Sequence, residues 1–442
     1  MPAIDNAKIL FRQANTAFKL GDLESAAGKY KRLIDGDEPT RGFAAYNLDI
    51  INSIYKNHGV ASLTSTMIPD HLLKDAHTTK QFLYEKHLQS GNKLEVPALR
   101  QLGAALLGPI IAAYYSKLRL HLDQNKEIKK LYFLAREGFV LEHVYDKLKK
   151  LNLIKSIDTS YLLCSRTLLF KLCLSRRKLW GAVLEHHYSG SLRSLLSDRF
   201  QFTSQEIENL CDGQYLYAEL DIKDLILPRD SSIVIDFFTA CETKLTAVVE
   251  PKAKAYLNYL KKIGFGKRKT EHVVDIGYAG TIQKLLGSLT GKKTVGHYFI
   301  TTKKAYNTST SFFIGHLLSN QEFGNEAPIL DRSLFIESML TAPHGQVVDV
   351  KEMINGTEFN FGKKTAAQLN YDQLFEIIEG ATQYAIRALD HDCTMSSEEL
   401  NSYYGRFVST PYIFPECARE LFEIDDSISG LGTLNPIDFF KA

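Results

Sequence analysis

One stretch of this chain collects the residue types that chemistry needs. Val273-Val274-Asp275-Ile276-Gly277-Tyr278-Ala279-Gly280-Thr281-Ile282-Gln283 opens as an apolar, β-branched run, ends that run on an acid, and follows it with two glycines and a threonine. Ile282, Leu285, Leu286 and Leu289 then recur at helical spacing. The pattern reads as strand, turn, helix. Such a turn points backbone N–H groups and the positive end of a helix dipole into one small space, which suits a phosphate group. Thr281 can cap the helix or bond a phosphate oxygen. Asp275, at the carboxyl end of the strand, can take a sugar hydroxyl or a metal. The same glycines also suit a tight turn that binds nothing.

Other apolar runs end in the same way. Lys130-Leu131-Tyr132-Phe133-Leu134 leads into Arg136, Glu137 and Gly138, and a helix pattern follows through Phe139, Val140, His143, Val144 and Leu148. Tyr161-Leu162-Leu163-Cys164 leads into Ser165 and Arg166. Val295 to Ile300 precedes Thr301-Thr302-Lys303-Lys304, and Phe312-Phe313-Ile314 reads as a further short strand. Continuous apolar strands separated by helices predict an α/β fold, a mainly parallel sheet flanked by helices on both faces. Ligands of such sheets lie beyond the carboxyl ends of the strands. Arg136, Glu137, Ser165, Arg166 and Asp275 all fall at such ends. Any one of them fits an ordinary loop, but their coincidence argues for a site. Glu337 stands inside the apolar helical pattern of Leu334-Phe335-Ile336-Glu337-Ser338-Met339-Leu340. A carboxylate there is costly unless paired. It reads either as half of a structural salt bridge or as a base or hydroxyl ligand facing a cleft.

These strand ends need a scaffold. Residues 1–58 read as a helical hairpin in which Ala14, Phe18, Gly21-Asp22, Ala26, Tyr30 and Pro39 follow a single tetratricopeptide-like repeat. One repeat does not make a solenoid, so the hairpin is expected to dock on the main body or on a partner. Residues 59–95 read as a connecting segment. The α/β domain is expected over 96–350, entered through a helix broken at Gly108-Pro109. Its helical insert, 178–263, is expected to cover the site, with a Thr203/Glu206 capping box and a helix stop at Gly264-Phe265-Gly266. Residues 351–442 form a C-terminal helical region.

The 442 residues suffice for two or three domains, and 45% hydrophobic with 24% charged residues is an ordinary globular composition. A net charge of +2 gives no argument for nucleic acid. The six cysteines form no C-x-x-C pair, and no histidines stand near them at zinc spacing, so they read as buried thiols of a reducing, cytoplasmic compartment. The most apolar stretch, Leu102 to Tyr115, is too short to span a bilayer, so no transmembrane segment is expected.

Four motifs in order, FLAREGFVLEHVYDKL, YLLCSRTLL, VVDIGYAGTIQKLL and FIESMLTAPHGQVVD, resemble the C-terminal domain of bacterial surface-polysaccharide proteins grouped with HAD-type hydrolases. That domain is similar to type I phosphoribosyltransferases and is associated with ribofuranosyl transfer in capsule and O-antigen assembly. The resemblance covers roughly residues 96–350. It implies phosphoribosyl diphosphate (PRPP) as donor, a glycan acceptor, a separate phosphatase acting afterwards, and Mg²⁺ as a companion ion. It implies an enzyme at the inner face of the membrane, whose hairpin meets a phosphatase or glycosyltransferase partner. By the same resemblance Ile276, Gly277, Tyr278, Ala279, Gly280 and Thr281, with Gln283 following, take the 5-phosphate. Arg136, Glu137 and Gly138 take the diphosphate, Arg166 its leaving charge with Ser165 as a further substrate-binding residue, Asp275 the ribose hydroxyls, and Glu337 the acceptor proton. Valine in place of Gly280 should then block the phosphate pocket. The chain departs from the family in three places. It has no opening apolar strand that ends in the D-x-D of a HAD phosphatase, it has Glu137 where the family's first loop carries aspartate, and it has Val274-Asp275 where ordinary phosphoribosyltransferases carry two acids. A phosphohydrolase, a nucleotide-sugar glycosyltransferase and a non-catalytic assembly module stand as alternatives.

Overall fold

The computed structural model describes residues 2–19, 22–35, 41, 44–45, 47–48, 51, 96–213, 224–324, 327–409, 420–425 and 433–436. The connecting segment 59–95, Gly21, Pro39, Cys417 and most of the tail from Ser427 lie outside them. The described strands in chain order are β1 (Lys130–Leu134), β2 (Asp158–Leu162), β3 (Tyr188–Gly190), β4 (Leu225–Leu227), β5 (Thr270–Tyr278), β6 (Lys293–Thr302), β7 (Ser311–Gln321), β8 (Val347–Met353), β9 (Gly356–Phe361), β10 (Ile424–Asp425) and β11 (Thr433–Leu434).

Five of them form one sheet in the order β2-β1-β5-β6-β7, every neighbouring pair parallel. Counted within the sheet this is the doubly wound order 2-1-3-4-5. The direction of winding reverses between β1 and β5, so the connections from those two strands leave toward different faces. The β strand's two-residue period divides the side chains between two cores. Leu131, Phe133, Val274 and Ile276 join the core beneath the helices Gly108–Gln124 and Gly138–Lys150. Tyr132, Leu134, Leu162 and Val273 join the core beneath Arg166–Cys173, Glu242–Lys262 and Thr281–Thr290. The α/β class with a parallel sheet is therefore as expected. Strand lengths differ from the sequence reading. β5 runs on through Gly277 to Tyr278, and β7 extends to Gln321, past the short Phe312–Ile314 run.

On the first face an imidazole ladder crosses three strands. His272 Nδ1 of β5 lies 3.1 Å from His297 Nε2 of β6, and His297 Nδ1 lies 3.2 Å from His316 Nε2 of β7. The rings are only 20° and 15° from coplanar, with centroids 5.4 Å apart in both pairs. Nitrogens this close, with centroids that far apart, put the rings end to end, each N–H donating to the next ring nitrogen. His121, on the helix Gly108–Gln124, meets His297 edge-on at 5.1 Å.

The helices Pro2–Lys19 and Leu23–Ile34 form the expected hairpin, with Ala14, Ala26 and Tyr30 fully buried within the core that extends through the main body. The break at Gly108-Pro109 separates the helices Val96–Leu106 and Gly108–Gln124. The C-terminal helix Tyr371–Asp390 packs tightly on both. A Cβ on Gly103 would stand 1.7 Å from the Ile377 carbonyl oxygen, and one on Gly380 would stand 1.9 Å from that of Arg100. The C-terminal region thus shares the main core. The expected boundary at 350 falls inside the β8–β9 hairpin and does not divide the protein. The capping box at Thr203 and Glu206 is present. Cys164, Cys173, Cys211, Cys241 and Cys393 are free and buried.

Candidate functional site

Because the five strands are parallel, their carboxyl ends open on one edge of the sheet. A cavity of about 720 Å³ occupies that edge. Arg136 and Glu137 reach it from the end of β1, Arg166 from beyond β2, and Asp275 through Ile282 from β5. Thr302, Lys303 and Lys304 come from β6, and Gln321, Glu322 and Phe323 from β7. The winding reversal between β1 and β5 lies at its centre, where doubly wound sheets bind ligands.

The turn after β5 is shaped by its glycines. Gly277 has φ +144°, and a Cβ there would meet the Ile300 carbonyl oxygen at 2.4 Å. Gly280 has φ +66° and is the N-cap of the helix Thr281–Thr290, to which it offers no side chain. Thr281 is therefore the helix's first residue and lines the cavity rather than capping it. The first-turn amides receive no side-chain cap, the state in which a helix start best receives an anion. The Gly277–Tyr278 and Ala135–Arg136 peptide bonds are cis. A Cβ on Gly280 would lie 2.1 Å from a ring carbon of Phe313. Valine at 280 therefore strikes that ring at the cavity's edge, so this glycine also serves packing and its backbone angle.

Asp275 is buried to 7% exposure, and its Oδ1 accepts the Ile276 N–H at 2.8 Å. Burial raises its pKa well above the usual carboxylate value, and the neighbouring Glu137 and Glu337 raise it further, against the pull of the Ile276 amide and Arg166. Glu137 folds back so that its Oε2 accepts the Arg136 N–H at 3.1 Å. Burial also raises the Tyr278 pKa, and the hydrogen-bonded Glu337 adds to the rise. Glu337 therefore faces the cavity beside Tyr278 and Asp275.

Three expected site residues serve the frame instead. Gly138 does not line the cavity. Its Cβ would stand 2.6 Å from the Phe133 carbonyl carbon, so glycine is what lets the helix Gly138–Lys150 start against β1. Ser165 is buried; its Oγ accepts the Leu168 N–H at 2.9 Å and donates to the Val347 carbonyl, fixing the helix that carries Arg166. Gln283 is wholly buried, donates to the Thr294 and Phe312 carbonyls and accepts from the Tyr298 hydroxyl at 2.8 Å. It ties the helix Thr281–Thr290 to β6 and β7. A polar residue beside a motif is as often a strut as a ligand, and only burial separates the two.

The covering role expected of the insert is also corrected. No described residue of 178–263 lines the cavity; the insert packs in the second core. The outer wall comes from the chain after β7: Asp331, Ser333, Glu337 and Thr341, then Thr365, then Glu423 and Asp425. Lys303 and Lys304 follow the strand-end rule directly after β6, and Phe323 follows it once β7 is carried to its end at Gln321. Glu423 and Asp425 carry no local signal.

Among the described residues no group of three or more His, Cys, Asp or Glu is placed to hold a metal ion. Nor is any described helix long and apolar enough to cross a membrane. The cavity joins an amide turn and arginines, which suit phosphate, to carboxylates, which suit hydroxyls. No protein-family profile matches the chain, and no curated protein matches it.

Proposed function

We propose that the cavity binds PRPP and transfers its 5-phosphoribosyl unit to a hydroxyl of a surface-polysaccharide acceptor. The observation that carries this reading is the uncapped helix start at Gly280–Thr281 in the same cavity as Arg136, Arg166 and the buried Asp275. The sequence resemblance adds to it. The turn from Ile276 to Thr281 would hold the 5-phosphate through backbone N–H groups. Arg136 and Arg166 would hold the diphosphate, whose negative charge grows as it leaves. Asp275 would hold the ribose hydroxyls. The acceptor oxygen forms a bond to C1 while the C1–O bond to diphosphate breaks, and diphosphate departs with the electron pair. The acceptor proton passes to Glu337. One displacement inverts the α-linked donor to a β-ribofuranoside. Mg²⁺ would be held chiefly by the diphosphate's own oxygens, since no three-ligand group stands among the described residues; no step above depends on it.

Mass spectrometry of acceptor oligosaccharides incubated with PRPP tests the reading. A mass gain of one phosphopentosyl unit is the expected result. Phosphate release without an acceptor, or transfer from UDP- or CDP-sugars alone, would replace it with a phosphohydrolase or a nucleotide-sugar enzyme. Thermal shift tests donor binding separately, because a ligand at 100 times its Kd adds about 2.7 kcal/mol of stability. No stabilisation by PRPP and no transfer would leave the assembly-module alternative.

A further inference from the structure

The cavity wall is divided by charge. The strand ends contribute Arg136, Arg166, Lys303 and Lys304 together with the amide turn. The chain after β7 contributes Glu322, Asp331, Glu337, Glu423 and Asp425, and no lysine or arginine among its described lining residues. Two separate segments are pressed together to make this acidic wall. Phe335 of the helix Leu334–Met339 meets Phe422 edge-on at 6.3 Å, beside Glu423. The Glu423 carboxylate is oriented by the Ala366 N–H at 2.6 Å, and that of Asp331 by the Gly324 N–H at 2.8 Å.

An exposed aromatic side chain stands in the same wall. Phe323 is 64% exposed and lines the cavity. Its ring meets Tyr278 edge-on at 6.4 Å. The turn that carries it is braced: Lys303 N–H donates to the Gln321 carbonyl at 3.1 Å, Lys303 Nζ pairs with Glu322 at 2.8 Å, and Asp331 holds Gly324. An exposed aromatic face loses little entropy on binding when its backbone is already fixed. Ionised carboxylates accept hydrogen bonds and donate none, so this wall matches a ligand rich in hydroxyl donors and repels an anion. A flat apolar ring beside hydroxyl acceptors matches the two faces of a sugar, C–H on one side and O–H around the rim.

We propose that this wall is a subsite for an uncharged hexopyranose unit, with Phe323 stacked on the sugar ring. Its assignment to the acceptor rests on the transfer reading above; the sugar specificity rests on the wall itself. Uronic acids and phosphorylated sugars are excluded from it.

Saturation-transfer NMR on the full chain tests this with methyl β-D-glucopyranoside, methyl β-D-galactopyranoside and methyl β-D-glucuronide as probes. Ring-proton saturation is expected for at least one neutral glycoside, with the glucuronide weaker by about fivefold or more, as like-charge contacts require. Phe323→Ala should abolish the neutral signal and Phe323→Trp should retain it. Equal saturation by the glucuronide, an undiminished signal in Phe323→Ala, or no saturation by any probe would overturn the proposal. Thermal shift with PRPP reads the donor half independently. Sugar saturation without PRPP stabilisation would sink the donor reading and leave the sugar subsite standing.

Discussion

At the scale of single residues, the site is a contest between burial and charge. Asp275 has its pKa raised by burial first and by Glu137 and Glu337 second. A carboxyl raised in this way favours the folded state fully below its unfolded pKa, and the folded state loses that advantage as pH rises toward the folded value. Asp275→Asn should therefore melt no lower than the parent at pH 7–8, with its relative stability growing from pH 4 upward, while ribosyl transfer falls. A variant that becomes relatively less stable as pH rises would contradict the assignment. Arg136→Ala should reduce turnover by at least ~10²-fold if the guanidinium meets charge developing in the transition state; unchanged single-turnover kinetics would remove it from the chemistry. Gly280→Ala should cost more than ~1 kcal/mol, because alanine is strained at φ +66° and its Cβ meets the Phe313 ring. Urea unfolding should show the added substitution Phe313→Ala relieving the clash but not the backbone strain, so that rescue is partial.

At the scale of elements, the helix crossing of Val96–Leu106 with Tyr371–Asp390 depends on two glycines set against opposite backbones. Alanine at Gly103 or Gly380 must push the helices apart, and overpacking of this kind costs about 1–3 kcal/mol. Denaturant midpoints should fall for both variants, whereas Gly181→Ala, where a Cβ meets nothing within 4 Å, should change little. Much of this level was legible beforehand. The parallel sheet, the strand-turn-helix at 273–289 and the helix break at Gly108-Pro109 all follow from local pattern. β7 reads short because Gly315 and His316 interrupt the apolar run after Ile314 and Ser319, Asn320 and Gln321 are polar, while its pairing with β6 carries register shifts. Ser165 and Gln283 read as ligands by type and position, while their burial arises only when β6, β7 and β8 come together. The outer wall could not be read at all: Glu423 reaches the cavity through Phe422 packing on Phe335, a contact between distant segments.

At the scale of the whole molecule, the imidazole ladder makes acid the vulnerable direction. Burial lowers the pKa of His272 to about 4, that of His316 to about 3, and that of His297 well below its ordinary 6.5. The unfolded chain takes up protons near pH 6.5 that the folded ladder refuses, so stability is complete above that value and is lost as pH falls toward 4. His297 and His316, both buried, together give a slope of about 3 kcal/mol per pH unit in that window. His121, Lys117 and Glu127 border the ladder; the two cationic groups oppose protonation and the acid favours it. Urea titrations at pH 7, 6 and 5 should show this steep loss, and His316→Asn should flatten it. Equal slopes in parent and variant would mean that acid sensitivity lies elsewhere.

The wall around Glu423 has a consequence for synthesis. The amide turn, the arginines and the full sheet are all translated long before it. A nascent chain stalled ahead of that residue can complete its sheet while its ligand still meets an open ledge instead of an enclosed cleft. Any ligand of this cavity therefore meets its complete outer wall only after Glu423 has been added and packed against the earlier segment.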